Sequence, residues 1–530
     1  CEQGAQFNFG DQIRVGANSR VGIQFSDGMF IRLSSRAVLR FDQQAGAAGL
    51  FLGSGKAHFL NRQDGITPRI ETNVVSAAVR GTEFVVDAEP ETTTIAVLEG
   101  SVEAINQYGS ALIGPGEQAI TIRGSAPIKS VLISPANAVQ WTASVPVVFD
   151  WSIYGANQET EDLVKDHDYS AALERIRATP SMTTNAKLLE AELLLSLGQI
   201  DEASRILAQQ DWQGLSAQGQ SHLNALRSLI ALTRNDLAGA QASADQALAQ
   251  DASYSGALLA LSYVQQANKD LEAARDTLQR AYAIDPDQPL LAARLAEIKL
   301  GFGDTRGAQR LITQALSIAP SDSYAITVQG FINLFNNELD AARVNFELAS
   351  KIDPASGLPL LGLGLTKIHA GDFGAGKTEI ERAVHLEPTR AIYRSYLGKA
   401  FFELDHEERA AREYEEAIRL DPNDPTPFLY RGFYQLSKNR LVDALADVEH
   451  SFALNNNRAI FRSSLLLDQD LAVRSAGLSK IFTQLGFSQS AQLEAVNALS
   501  KDATNFSAHR LLADSRKEIF YACLLYTSRA

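Results

Sequence analysis

Five prolines, Pro286, Pro320, Pro354, Pro388 and Pro422, stand 34 residues apart, and each closes a helix-like run: AIDP, SIAP, KIDP, HLEP and RLDP. Loop punctuation does not hold a fixed interval. A stacked repeat does, and 34 residues is the period of a helix-turn-helix unit. The frame extends one step back to Ala252, after ALAQD, and one step on to Asn456, after SFALN. A chain built this way folds as an array in which each unit buries its apolar face against the next.

Small residues keep the same interval. Twelve before each rung stand Ala240, Ala274, Ala308, Ala342, Gly376, Ala410 and Ala444; five before it stand Ala247, Ala281, Ala315, Ala349, Ala383, Ala417 and Ser451. Twenty-four before it stand Ser228, Ser262, Ala296, Gly330, Gly364, Gly398 and Gly432. Two helices approach closely only where little side chain intervenes, so these offsets predict one crossing contact repeated along the chain. The proline then ends the second helix, because it has no N–H to donate and clashes with the preceding turn.

This pattern resembles tetratricopeptide (TPR) repeats over residues 155–519, and the resemblance implies an all-α superhelical solenoid. Two less regular units, HDYSAALERI and LLLSLGQIDEASRIL, precede the strict frame. After Asn456 the register slips through an irregular insert at about 457–480. Another unit, IFTQLGFSQSAQLEAVNALSKDATN, follows, and then the first helix of a further one at SAHRLLADS, so the array reads as cut rather than capped. Residues 520–530, with Cys523, differ in character and read as a non-native or disordered tail.

At 530 residues the chain is too long for one core. Its 45% hydrophobic and 21% charged residues describe an ordinary globular composition. No apolar run approaches the roughly 20 residues that a spanning helix needs. The net charge of −14 disfavours a nucleic-acid partner, since acidic repeats repel phosphate backbones. Cys1 and Cys523 lie at opposite ends and make neither a disulfide framework nor a metal site; their scarcity fits an oxidising compartment. A start without Met leads to the expectation of a processed or fragmentary chain.

From Asp11 to Ile133 the period changes to two. RVGIQF, MFIRL, AVLRF, KAHFL, EFVVD, TTIAVLEG, SVEAI and QAITI read as strands. Turn signals separate them at Ser26-Asp27-Gly28, Gly53-Ser54-Gly55, Arg80-Gly81-Thr82, Glu99-Gly100 and Gly114-Pro115-Gly116. Residues 1–133 are thus expected to form an all-β domain. The order of FGDQIRVGANSRVGIQFSDG, VRGTEFVVD, VLEGSVEA and GPGEQA resembles the FecR domain of bacterial cell-envelope proteins. That resemblance implies a periplasmic β-rich module. Charged residues flanking a strand, such as Arg80 and Glu83, are expected to be solvated. Residues 134–154 read as a semi-rigid linker whose Trp141 and Trp151 pack against the neighbouring domains.

In TPR proteins the second, fifth, ninth, twelfth and thirteenth positions of a unit face the groove. Carried over, they include Tyr324, Phe331, Phe335, Leu365, His369, Lys399, Glu403, Phe433 and Ser437. Phe331, Phe335 and Phe433 read equally as partner anchors or as core covered by the neighbouring repeat.

One catalytic motif matches by letter: GDFGAGKT, Gly371 to Thr378, satisfies the Walker A pattern with Lys377 and Thr378 in the phosphate and magnesium roles. The loop follows a helical run rather than a strand, and Gly376 falls on the crossing position, so the match reads as coincidence. His406-Glu407-Glu408 lacks a second zinc histidine, and no G-x-S-x-G elbow is present. No catalytic, cofactor or metal residue is nominated.

The expectation is a non-enzymatic scaffold of the periplasm or cell envelope. It would hold a peptide or partner protein in the TPR groove, with the FecR-like module as a second contact. Two alternatives are a FecR-type signal-relay regulator and the periplasmic part of an outer-membrane assembly or secretion protein with a β-barrel further on. In the latter, association with the outer membrane would run through missing segments.

Overall fold

The computed structural model describes residues 6–8, 10–16, 19–25, 29–44, 47–60, 69–131, 147–154, 158–165, 168–179, 183–209, 212–234, 236–268, 270–354, 356–454, 467–501, 503 and 505–514. The turn at Ser26-Asp27-Gly28, Trp141 and the tail 520–530 lie outside these residues, as does the first part of the insert, 457–466. The chain divides into two compact units, residues 1–144 with 157–181 and 193–203, and residues 145–156 with 182–192 and 204–530.

The amino-terminal strands are β1 (Gln12–Arg14), β2 (Val21–Gln24), β3 (Phe30–Leu33), β4 (Val38–Gln44), β5 (Ala47–Leu60), β6 (Arg69–Glu71), β7 (Ser76–Ala88), β8 (Thr92–Asn106), β9 (Gly109–Ile113), β10 (Glu117–Ile122) and β11 (Ile128–Val131). Among the described residues they form one sheet in the order β1-β4-β5-β6-β7-β8-β10-β11. The β2–β3 hairpin attaches through β3 to β5, and β9 attaches to β8. All pairings are antiparallel except β5 with β6. Alternation sends Ile31, Leu33, Leu39, Leu52, Phe59, Ile70, Val86, Val97 and Val102 into one core. Phe59 and Phe84 stack within it, with ring centroids 4.8 Å apart.

Three expected turns are not turns. Gly53-Ser54-Gly55 lies inside β5, Arg80-Gly81-Thr82 inside β7 and Glu99-Gly100 inside β8. The strands are 13 to 15 residues long, and the register shifts at Val38/Leu39 opposite Ser54 and again between Arg80 and Phe84. An irregularity that bends a long strand needs the same positive φ that a turn needs, so glycine marks both. Gly55 has φ +86, and a Cβ there would come within 2.6 Å of the Ala37 Cα. Gly114-Pro115-Gly116 is a true turn, with the Gly116 amide donating to the Val97 carbonyl at 2.9 Å.

The helices begin with α1 (Trp151–Tyr154), α2 (Gln158–Lys165), α3 (Tyr169–Arg177), α4 (Thr184–Ser196) and α5 (Ile200–Gln209). Phe149 stacks on Trp151, which meets Tyr154 edge to face. The regular hairpins follow: α6 (Ala217–Thr233) with α7 (Leu237–Gln250), α8 (Ser255–Ala267) with α9 (Leu271–Ile284), α10 (Pro289–Gly301) with α11 (Thr305–Ile318), α12 (Ser323–Phe335) with α13 (Leu339–Ile352), α14 (Leu358–His369) with α15 (Phe373–Leu386), α16 (Ala391–Glu403) with α17 (Glu407–Leu420), and α18 (Pro425–Ser437) with α19 (Leu441–Ala453). A last pair, α20 (Leu467–Gln484) with α21 (Ser488–Lys501), comes after the insert. The array is a TPR-like solenoid.

The crossing contact is the one that the spacing predicts. Every alanine twelve or five residues before a rung is fully buried, from Ala240 to Ala444 and from Ala247 to Ala417. A Cβ on Gly330, Gly364, Gly398 or Gly432 would come within 2.5 to 2.7 Å of Phe346, Ile380, Tyr414 or Val448, in each case the side chain sixteen residues on. The six hairpins from α10 to α21 also turn in the same way. Gly303, Asn337, Gly371, Asp405, Asn439 and Gly486 have positive φ and stand seventeen residues before their rungs. The amide after each donates to a carbonyl five residues back, as from Asp304 to Lys299 at 2.9 Å and from Phe487 to Phe482 at 2.8 Å, closing the first helix with a Schellman motif. Asp236, Asp270, Asp304 and Asp372 then cap the second helix, each accepting from the amide three residues on.

Structure places the expected insert differently at its carboxyl side, since residues 467–480 are helical. Ser479, Ala491 and Ala498 recover the three small positions around a rung at residue 503, so the slip is one period plus thirteen residues.

Candidate functional site

First helices of successive hairpins touch one another: α6 with α8, α10 with α12, α12 with α14, α16 with α18, and α18 with α20. They form a layer whose outward positions are the candidate face. Of the residues nominated from sequence, His369, Glu403 and Ser437 are exposed, and Phe335, Leu365, Lys399 and Phe433 are half-buried. Phe331 is core, 7% exposed, and meets the Phe346 ring edge to face at 4.9 Å. Phe433 leans on α20, where a Cβ on Gly477 would come within 2.6 Å of its ring. Lys399 pairs with Glu403 one turn on, and the Ser437 hydroxyl donates to the Tyr434 carbonyl at 2.7 Å.

Tyr324 belongs to a polar cluster that sequence reading missed. Its hydroxyl donates to Glu297 Oε2 at 2.5 Å. The Arg294 guanidinium donates to the same carboxylate and to Gln266 Oε1, and lies 4.6 Å over the Tyr263 ring. Arg294 is 2% and Glu297 7% exposed. Burial opposes the Arg294 charge, but Glu297 and the surrounding phenols hold it above its ordinary pKa. Burial pushes the Tyr263 phenol up to about 12, and burial with Glu297 raises Tyr324 well above its ordinary value. By the 34-residue register Tyr263 and Glu297 are ninth positions and Gln266 a twelfth, so the same carry-over, applied two units earlier, would have found them.

A second cluster lies at the start of the array. The Tyr154 hydroxyl donates to the buried Glu192 carboxylate and lies 2.6 Å from His222 Nε2. Tyr254 lies 2.6 Å from His222 Nδ1. Because the Tyr154 O–H is directed at Glu192, its oxygen can only accept from His222 Nε2, and an imidazole with its N–H there accepts from Tyr254 at Nδ1. In that tautomer the hydrogen bonds run one way, from Tyr254 through His222 and Tyr154 to Glu192. Burial first, and Glu192 second, raises both phenols well above their ordinary values. Gln218 donates to Asp150 Oδ2 at 2.7 Å and Asn185 to the Ile153 carbonyl at 2.7 Å, which fastens the α1 segment to α4 and α6.

The Walker-like residues belong to the hairpin. Gly371, φ +91, closes α14, and Asp372 Oδ1 accepts from the Ala375 amide at 3.0 Å, the helix end where phosphate would have to sit. A Cβ on Gly376 would come 2.5 Å from Ile368 and 2.7 Å from the Gly364 carbonyl oxygen. Lys377 pairs with Glu381 at 2.9 Å. In the β domain Glu83 is not solvated: it is fully buried and lies 3.0 Å from His58 Nε2. Among the described residues no group of His, Cys, Asp and Glu could hold a metal ion, and no helix is long and apolar enough to cross a membrane.

Residues 11–103 match the FecR protein family, and residues 226–289, 266–330 and 361–425 match tetratricopeptide repeat families. No curated protein is significantly similar to the chain. Among solved structures, the APC/C hetero-tetramer Cut9-Hcn1 is similar at 14% identity over 68% of this chain and 82% of that one, with a TM-score of 0.41. A tetratricopeptide repeat protein from Parabacteroides merdae is similar at 16% identity over 47% and 98%, with a TM-score of 0.34. A thermophilic TPR protein from Thermus thermophilus is similar at 18% identity over 37% and 98%, with a TM-score of 0.32.

Proposed function

For a chain that carries a FecR domain followed by tetratricopeptide repeats, we propose a non-enzymatic interaction scaffold of the bacterial envelope that holds an extended peptide or partner segment along its first helices. The observation that carries this reading is the unbroken crossing register. Seven hairpins carry small residues at the same offsets, and first helices meet from α6 to α8, from α10 through α12 to α14 and from α16 to α18, leaving their outward positions for a partner. Such a surface suits a long, shallow contact rather than chemistry in a cleft. The Walker-like segment is accounted for by capping and crossing geometry, and both families are generally non-catalytic. The FecR domain supplies a second contact and favours the periplasmic side.

The test is fractionation of cells expressing the full chain, followed by affinity capture from the periplasmic fraction. Recovery of the intact protein in the periplasm with a stoichiometric partner is expected. Recovery only in the cytoplasm would remove the envelope assignment.

A further inference from the structure

The first helices from α6 to α18 carry seven lysines and arginines, and each already has an internal partner. Arg294 pairs with Glu297, Lys299 with Asp304 at 2.9 Å, Lys367 with Glu379 at 2.7 Å, Arg394 with Glu413 at 3.4 Å, Lys399 with Glu403, and Arg431 with Asp447 at 2.6 Å. Arg227 donates to the Leu207 carbonyl at 2.9 Å. The two carboxylates on these helices, Glu297 and Glu403, are the partners of Arg294 and Lys399. The most exposed ion-paired carboxylates of these hairpins sit on second helices, with Asp340 fully exposed and Glu408 92% exposed.

Aromatic and aliphatic surface stands beside the six ion-paired charges. Phe335, Leu365, Phe402 and Tyr434 are half-buried on α12, α14, α16 and α18. Phe402 and Tyr434 meet edge to face across α16 and α18 with ring centroids 6.3 Å apart, and Tyr396 and Tyr430 do the same at 5.7 Å. At the buried pairs a charged partner would leave one member uncompensated, which costs more than the new contact returns, and at the partly exposed pairs the existing neutralisation leaves it little to gain. An apolar side chain faces no such penalty and buries area against the rings.

We infer that the first-helix face selects a partner segment that is uncharged and rich in aromatic or aliphatic side chains, and that it discriminates against acidic and basic segments. The inference rests on the proposed peptide-holding function and specifies the chemistry of that same surface. The occupant is an extended neutral segment of a partner protein, seated along α12 to α18 with its apolar side chains against Phe335, Phe402 and Tyr434.

The full-length protein is tested against an array of synthetic peptides in three compositions: neutral and rich in Phe, Tyr and Leu; acidic; and basic. Peptides that bind are titrated by fluorescence anisotropy at low and high salt. Preferential capture of the neutral set is expected, with affinity that is unchanged or stronger at high salt. Phe402→Ala and Tyr434→Ala should each weaken that binding about tenfold, while Glu408→Gln, at an exposed second-helix position away from that face, should leave it within about twofold. Circular dichroism of each variant separates lost contact from lost fold, and the salt titration of the unaltered protein needs no variant. Capture of the acidic or basic set with affinity that falls with salt would overturn the inference while leaving the scaffold reading standing. Binding of none of the three sets would remove the scaffold reading, and the inference with it.

Discussion

The hydroxyl of Ser228 donates to the carbonyl of Ala240, twelve residues on, at 2.8 Å. Ser479 does the same to Ala491 at 2.7 Å, after the register has slipped and recovered. In units with glycine at that position the carbonyl is equally close: a Cβ on Gly364 would come 2.8 Å from the Gly376 oxygen, and one on Gly432 would come 3.3 Å from that of Ala444. At Ser228 and Ser479 the hydroxyl thus turns a close approach into a hydrogen bond, whereas Ser262 at the same offset donates to the Leu259 carbonyl of its own helix at 2.6 Å.

Ser228→Ala should lose about 0.5–1.5 kcal/mol, the net worth of one buried hydrogen bond. Ser228→Leu should cost more, because the crossing has no room for a branched side chain. Urea denaturation of the two variants checks the order; equal stabilities would show that the hairpin does not cross here.

Ala410→Trp or Ala342→Trp should destabilise by about 1–3 kcal/mol or more through overpacking of a fully buried site. Glu407→Gln, half-buried at the start of α17 and paired with Lys438, should cost no more than such a surface ion pair is worth, about 0.2–1 kcal/mol. Calorimetry on the same three variants tests both halves of this contrast.

Lys377→Ala should cost about 0.5–1 kcal/mol, since the half-buried Lys377 pairs with Glu381 one turn on and lies 5.8 Å over the Phe401 ring. Gly376→Leu should be strongly destabilising because Ile368 and the Gly364 carbonyl occupy the space. ATP binding that Lys377→Ala abolished would instead restore the nucleotide reading.

Stability should fall at alkaline pH. Burial holds the Tyr263 phenol at about 12, so below pH 10 it is protonated in both the folded and the unfolded chain and contributes no pH dependence. Between pH 10 and about 12 the unfolded chain releases a proton that the folded chain keeps, and stability declines by up to about 1.4 kcal/mol per pH unit for this phenol. Tyr154, Tyr254, Tyr324 and Tyr393, also raised by burial, act in the same direction. Phenolate absorbance recorded with equilibrium unfolding checks this; stability that is flat across the window would mean that these phenols are solvated.

Hairpins were legible because one contact recurs: Ala308, Ala342 and Ala410 mean the same thing at the same offset, and the register predicts their burial without any structure. Strands were legible where they alternate, as in AVLRF and QAITI, but glycine misled at Gly55 and Gly100, where positive φ serves an irregularity inside a long strand. The face was less legible. Phe331 and Phe335 share a helix, yet Phe331 is covered by Phe346 from the second helix. The cluster of Tyr263, Gln266, Arg294, Glu297 and Tyr324 joins three units through bonds between residues 27 and 28 apart, a pairing that no single repeat announces.

Photo-crosslinking in living cells addresses the central claim most directly. A benzoyl-phenylalanine placed at Phe335 or Phe402 on the first helices is compared with one at Val344 or Val442, which are 54% and 75% exposed on the second helices. Adducts to a partner from the first-helix positions, and none from the second-helix positions, are expected. Adducts from Val344 or Val442 alone would place recognition on the opposite side of the hairpins and contradict the account.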